Sequence, residues 1–204
     1  MTDIILNEDE RDCLQELMNV AYGSATAAIS EILDAFAQLA IPKIKIIDAV
    51  DFKDYLLAEL DLNEEHLIAL QEISGNFNGE NMFVIDKKST TNIALKFGIE
   101  EDELNDEEIS DVALEITNIL SSSTIGKLAE DMDANVSFSA PIIKQISSAN
   151  ELNNLFINSY KKVIIISTEL NFDDLNINGE LFIFTTDNSI LFIKEKLNQI
   201  LEDL

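Results

Sequence analysis

From Glu8 to Gln38 apolar residues return at helical spacing. Leu14, Leu17, Met18, Ala21, Ala25, Ala28 and Ile32 cluster on one side, while Asp12, Glu16, Asn19 and Gly23 share a narrow arc opposite them. The pattern predicts a long helix over residues 8–38, buried on the first side and solvated on the second. A strand is expected over 43–50, a short polar or helical excursion over 51–64, a hairpin over 66–86 turning at Ser74-Gly75-Asn76, and a closing helix over 88–97. The same order then repeats: helix 106–132, strand 135–146, excursion 149–157, hairpin 160–187 around Asn176-Ile177-Asn178-Gly179, and helix 188–203.

The recurrence extends to single residues. Asp12, Glu16 and Asn19 return as Asp111, Glu115 and Asn118, a shift of 99, and Ile41-Pro42 returns as Ala140-Pro141 at the same shift. Asn78-Gly79-Glu80, followed by apolar residues, returns as Asn178-Gly179-Glu180 at a shift of 100. An internal repeat constrains architecture before any single element does. The expected fold is therefore α+β: one domain over residues 1–204, built from repeats of about 8–99 and 106–204. It should have pseudo-two-fold symmetry and a six-stranded, mostly antiparallel sheet packed with helices.

Composition narrows the function. The chain has 204 residues, 47% of them hydrophobic, enough for a sizeable core rather than disorder. Its net charge of −26 would repel a nucleic-acid backbone, so nucleic acid is not an expected partner. The longest unbroken aliphatic run, Val163 to Ile166, is far too short to span a bilayer, and the start is acidic where a signal peptide would be basic. A cytoplasmic protein without membrane insertion is the expectation. Cys13 is the single cysteine, which excludes an internal disulfide framework or a cysteine metal cluster. His66 has no persuasive serine or cysteine partner, and the six glycines form no phosphate loop.

Attention falls on the polar arcs of the two long helices. An outward polar face usually meets only water, but asparagine is a mediocre mid-helix residue, and two asparagines at one register ask for a further reason. Gly23, and Ser122 at the matching place, keep the neighbourhood small and would let another protein approach closely.

The pattern Asp/Ser-x3-Glu-x2-Asn, present twice on two long helices, resembles the CheC, CheX and FliY group of CheY-phosphate phosphatases. The segment Glu16-Leu-Met-Asn19-Val-Ala-Tyr-Gly23-Ser-Ala is especially similar to the CheC form. The resemblance implies an aspartyl-phosphate phosphatase acting on a phosphorylated, CheY-like receiver. Asn19 and Asn118 would orient the attacking water, and Glu16 and Glu115 would pair with the receiver's lysine. Asp12, Gly23, Asp111 and Ser122 would lie at the edge of the contact. It implies no cofactor on this chain, with Mg²⁺ belonging to the receiver, and a monomer. A deamidase of the CheD type is a further implied partner, for which Ser147 to Asn158 is a candidate contact. Ser122 departs from Gly23 of the first copy. The alternative is a non-catalytic receiver-binding or flagellar-switch adaptor.

Overall fold

The computed structural model describes residues 5–36, 38–59, 65–146, 162–172 and 177–203. The expected excursion over 149–157 lies outside them, as does the candidate contact at Ser147 to Asn158.

Two helices of 26 residues dominate: α1, Glu8–Leu33, and α4, Asp106–Asp131. Asn7 starts α1 through a capping box, accepting from the Glu10 amide while the Glu10 carboxylate accepts from its own. Asn105 starts α4 by accepting from the amides of Glu107 and Glu108. Helix α1 stops five residues short of the expected Gln38, because Asp34 turns left-handed at φ 44°. Helix α4 is followed in the same way by Asp133 at φ 48°.

The remaining elements are β1 (Gln38–Leu39), β2 (Lys43–Asp48), α2 (Phe52–Glu59), β3 (His66–Gly75), β4 (Gly79–Asp86), α3 (Lys87–Lys96), β5 (Val136–Phe138), β6 (Ile142–Ile146), β7 (Lys162–Phe172), β8 (Ile177–Thr185) and α5 (Asp187–Glu202). Ile177 to Gly179 belong to β8 rather than to the turn expected there.

Among the described residues the sheet has eight strands where six were expected, and every described pairing is antiparallel. The difference has one cause, acting twice. Leu39 pairs with Leu170 and Lys43 with Ser167, so residues 40–42 span only two positions of β7. Phe138 pairs with Ile73 and Ile142 with Leu70, so residues 139–141 span only two positions of β3. Each interruption contains a proline, Pro42 or Pro141, that lacks the amide hydrogen a ladder needs, and a bulge breaks each expected strand in two.

Central strands β4 and β8 pair so that Met82 faces Phe182, its own counterpart at the 100-residue shift, with Gly79 opposite Thr185 and Ile85 opposite Gly179. A two-fold relation between halves requires this register. It also needs close approach, since a Cβ on Gly79 would collide with the Phe184 carbonyl. The halves interlock further: β2 of the first pairs with β7 of the second, and β6 of the second with β3 of the first.

Alternation along the central strands feeds two cores. Leu67, Ile73, Phe83, Ile85, Ile164, Ile166, Leu181 and Ile183 face α1, α3, α4 and α5. Ile68, Leu70, Met82, Val84, Val163, Ile165, Phe182 and Phe184 face α2, where Phe52 meets the Phe184 ring edge-on at 4.7 Å between centroids. On α1 the buried stripe is Leu14, Met18, Ala21, Ala25, Ile29 and Leu33, with Tyr22 beside it; Leu17 and Ala28 are half-buried. Ile32, expected inside, is 48% exposed. From Ala21 onward the stripe advances in steps of four, rotating by about 40° per step, and Ile32 is left outside.

Candidate functional site

The solvated arcs survive in three dimensions. Asp12, Glu16 and Gly23 are exposed on α1 and Asn19 is half-buried; Asp111, Glu115, Asn118 and Ser122 are exposed on α4. Spacing of three keeps Glu16 beside Asn19 and Glu115 beside Asn118, as neighbours on one helix face. Nothing lies within 4 Å of where a Cβ on Gly23 would sit. Ser122 turns its hydroxyl back onto the helix, donating to the Ile119 carbonyl at 3.2 Å.

The surroundings of the two asparagines differ. Asn19 lines a cleft of about 420 Å³ with Tyr22, Gly23, Thr26, Phe36, Gln38, Ala40 and Ile41. Phe36 is 71% exposed and Ile41 68%, so the cleft has an apolar rim. Position 99 further on from Ile41 is Ala140, and from Phe36 it is Asn135, so the corresponding rim of the second half is small and polar. Among the described residues Asn19 makes no side-chain hydrogen bond. Asn118, by contrast, accepts at Oδ1 from Gln71 Nε2 at 3.1 Å.

Beneath these arcs the halves also fill space differently. Tyr22 is buried on α1, where burial pushes its phenol far above the ordinary range. Its counterpart Ser121 is buried on α4 and accepts from the Asn81 amide. Position 181, the counterpart of Asn81, is Leu. Tyr22 thus stands on α1 where Ser121, held by Asn81 from the opposite half, stands on α4.

Phe36, Ile41 and Gln71 escape a reading of the helices alone, because they come from the chain after α1 and from β3. Gln71 does carry a signal: it is the polar position on the helix-facing side of His66-Leu-Ile-Ala-Leu-Gln-Glu-Ile73, between Ala69 and Ile73. Cys13 is half-buried and burial pushes its thiol up, which makes it a poor nucleophile. No group of three or more histidine, cysteine or acidic side chains suited to a metal ion occurs among the described residues. Among them, too, no helix is long and apolar enough to cross a membrane.

The fold is that of FliY, of the FliM middle domain and of CheX. FliY of Thermotoga maritima superposes with a TM-score of 0.74 at 21% identity, covering 96% of this chain and 98% of that one. The FliM middle domain from H. pylori gives 0.62 at 12%, covering 94% and 99%. CheX in the CheX-CheY-BeF3-Mg²⁺ complex from Borrelia burgdorferi gives 0.54 at 15%, covering 84% and 97%. At these identities the likeness is one of fold. No curated protein matches in sequence. The family described as chemotaxis phosphatase CheX matches residues 67–166. Over those residues, just under half of the chain, the sequence is similar to that family, and over nearly its whole length the chain shares the fold of FliY.

Proposed function

We propose that the protein hydrolyses the aspartyl-phosphate of a receiver domain of the CheY type, with one site on each long helix. The observation that carries the reading is the repeated pair: Glu16 with Asn19 on α1 and Glu115 with Asn118 on α4, each on the outward face of its helix. Hydrolysis of an acyl phosphate breaks the bond between phosphorus and the aspartate oxygen as water oxygen attacks from the opposite side. The aspartate leaves as carboxylate and the water's protons pass to phosphate and solvent. Such a reaction needs alignment and charge compensation more than covalent help. An amide suits the task because it can donate to and accept from one water without titrating. The glutamate three residues earlier would pair with a lysine of the receiver and so fix the docking angle. Mg²⁺ would be the receiver's, and this chain would supply no cofactor.

The likeness to the FliM middle domain favours one other reading, an adaptor that binds a receiver without turning it over. Following the decay of a phosphorylated receiver with and without catalytic amounts of the protein separates the two. Acceleration with multiple turnovers is expected; stoichiometric binding without faster decay would establish the adaptor.

A further inference from the structure

The bulges of the two halves leave equivalent carbonyls turned out of the sheet ladder, Ala40 before Pro42 and Ser139 before Pro141, 99 positions apart. Each is caught by a buried polar side chain of the neighbouring strand. Thr168 Oγ1 donates to the Ala40 carbonyl at 2.6 Å, and Gln71 Nε2 donates to the Ser139 carbonyl at 2.8 Å. Both side chains lie on the helix-facing side of the sheet, Thr168 4% exposed and Gln71 1%.

Their remaining capacity differs. A threonine hydroxyl has one hydrogen, and Thr168 has given it to Ala40. A glutamine amide has two, and Gln71 gives the second to Asn118 Oδ1. The Ser139 carbonyl can only accept, so it fixes which end of the Gln71 amide is nitrogen. Gln71 Nε2 can only donate, so it fixes which end of the Asn118 amide is oxygen. The Asn118 Nδ2 hydrogens are left directed away from Gln71. Among the described residues Gln71 Oε1 is buried without a partner, an arrangement that space-filling alone would not select over an apolar side chain.

We infer that Gln71 is a positioning residue for the second site, holding the Asn118 amide in one orientation before a receiver docks, while the Asn19 amide of the first site is oriented only on docking. The inference rests on the reading of Asn118 as a water-orienting group.

The experiment uses the full chain with Asn19→Ala, so that turnover comes from the second site alone. Adding Gln71→Leu, which keeps volume and burial but removes both donors, should lower kcat roughly tenfold with KM little changed, the mark of lost alignment rather than lost binding. Once Asn118 is alanine, Gln71→Leu should add no further loss. Side-chain ¹⁵N relaxation on the wild-type protein should show the Asn118 amide rigid and the Asn19 amide mobile, and Gln71→Leu should make Asn118 as mobile as Asn19. Equal mobility of the two amides in the wild type overturns the inference even if Gln71→Leu fails to fold. An unchanged kcat in folded Asn19→Ala, Gln71→Leu protein also overturns it, and alone, provided that Asn19→Ala, Asn118→Ala protein is inactive. Turnover surviving in that last variant overturns the catalytic reading as well.

Discussion

Asp34 and Asp133, 99 positions apart, lie just past the ends of α1 and α4 in the same left-handed conformation, with φ of 44° and 48°. Ala35 and Ala134 follow and bond back to the carbonyls of Ser30 and Ala129 at 3.2 and 2.8 Å. A residue with a Cβ pays about 1 kcal/mol for that conformation and glycine does not. Asp34→Gly or Asp133→Gly should each raise stability by roughly 0.5 to 1 kcal/mol, and alanine at either place should not. The midpoint of urea unfolding measures this; equal effects of glycine and alanine would remove the backbone explanation.

Asn19→Ala and Asn118→Ala should each leave part of the receiver-phosphatase activity, and the double substitution should lower it by about a hundredfold or more. Folding should survive: Asn19→Ala should shift stability by only about 0.5 kcal/mol, and Asn118→Ala by about 1 kcal/mol, because it leaves one Gln71 donor without its acceptor. Phosphorylated-receiver decay, with circular dichroism alongside, reads both. A folded double variant that retains wild-type turnover would remove the asparagines from the mechanism.

Glu10 serves two ends of the chain at once. Besides closing the α1 cap, its buried carboxylate accepts from Asn198 Nδ2 at 2.9 Å and meets Lys194 Nζ at 3.1 Å, both on α5. Burial pushes its pKa up, but the Asn7 amide, Asn198 and Lys194 together outweigh that and hold it below its ordinary 4.5. A carboxyl with a lowered pKa stabilises the fold at pH above its unfolded value and loses that contribution as pH falls through the folded one. Glu10→Gln should therefore destabilise at pH 7, on the order of 1 to 3 kcal/mol, and the gap from wild type should close in acid below 4.5. Thermal melts of both proteins across pH test it; a gap that persists at low pH would assign the loss to packing.

Glu80 should behave in the opposite sense. It sits directly across from Glu72 on paired strands. Burial first, and the Glu72 charge second, push its pKa above the ordinary value against the pull of Lys144. Its ionisation opposes folding at pH above the raised pKa, and the penalty is relieved as pH falls through it. Glu80→Gln should stabilise the protein at neutral pH and make no difference in acid. A substitution neutral at pH 7 would show that the pair relaxes into water.

Much of this molecule can be read from residue spacing, and what cannot has identifiable causes. Both long helices start where the periodicity puts them, at residues 8 and 106, because the caps at Asn7 and Asn105 are local chemistry. The offset between Asn19 and Asn118 carries to the two helices because each repeat folds under the same local rules. Helix ends are less legible: Asp34 adopts a conformation that its side chain does not favour strongly enough to announce. The splitting of the outer strands could have been suspected from Pro42 and Pro141, yet its register depends on β7 and β3, which lie far away in the chain. Gln71 is visible as a polar residue in an apolar run, but its pairing with Asn118 spans 47 positions and exists only once α4 lies on β3. Phe36 and Ile41 look like core residues by type, and only their position beyond the end of α1 exposes them.

The exchange of outer strands means that neither repeat owns a finished sheet. A first half alone would keep β3 and β4 but lack β7 under β2 and β8 beside β4, presenting raw edges on both flanks. Severing the connection between α3 and α4 should thus yield fragments that are poor folders singly and mutual templates when mixed. The smallest self-sufficient body here is the pair, so damage to either half's framework should be felt at both helices, however separately their asparagines work.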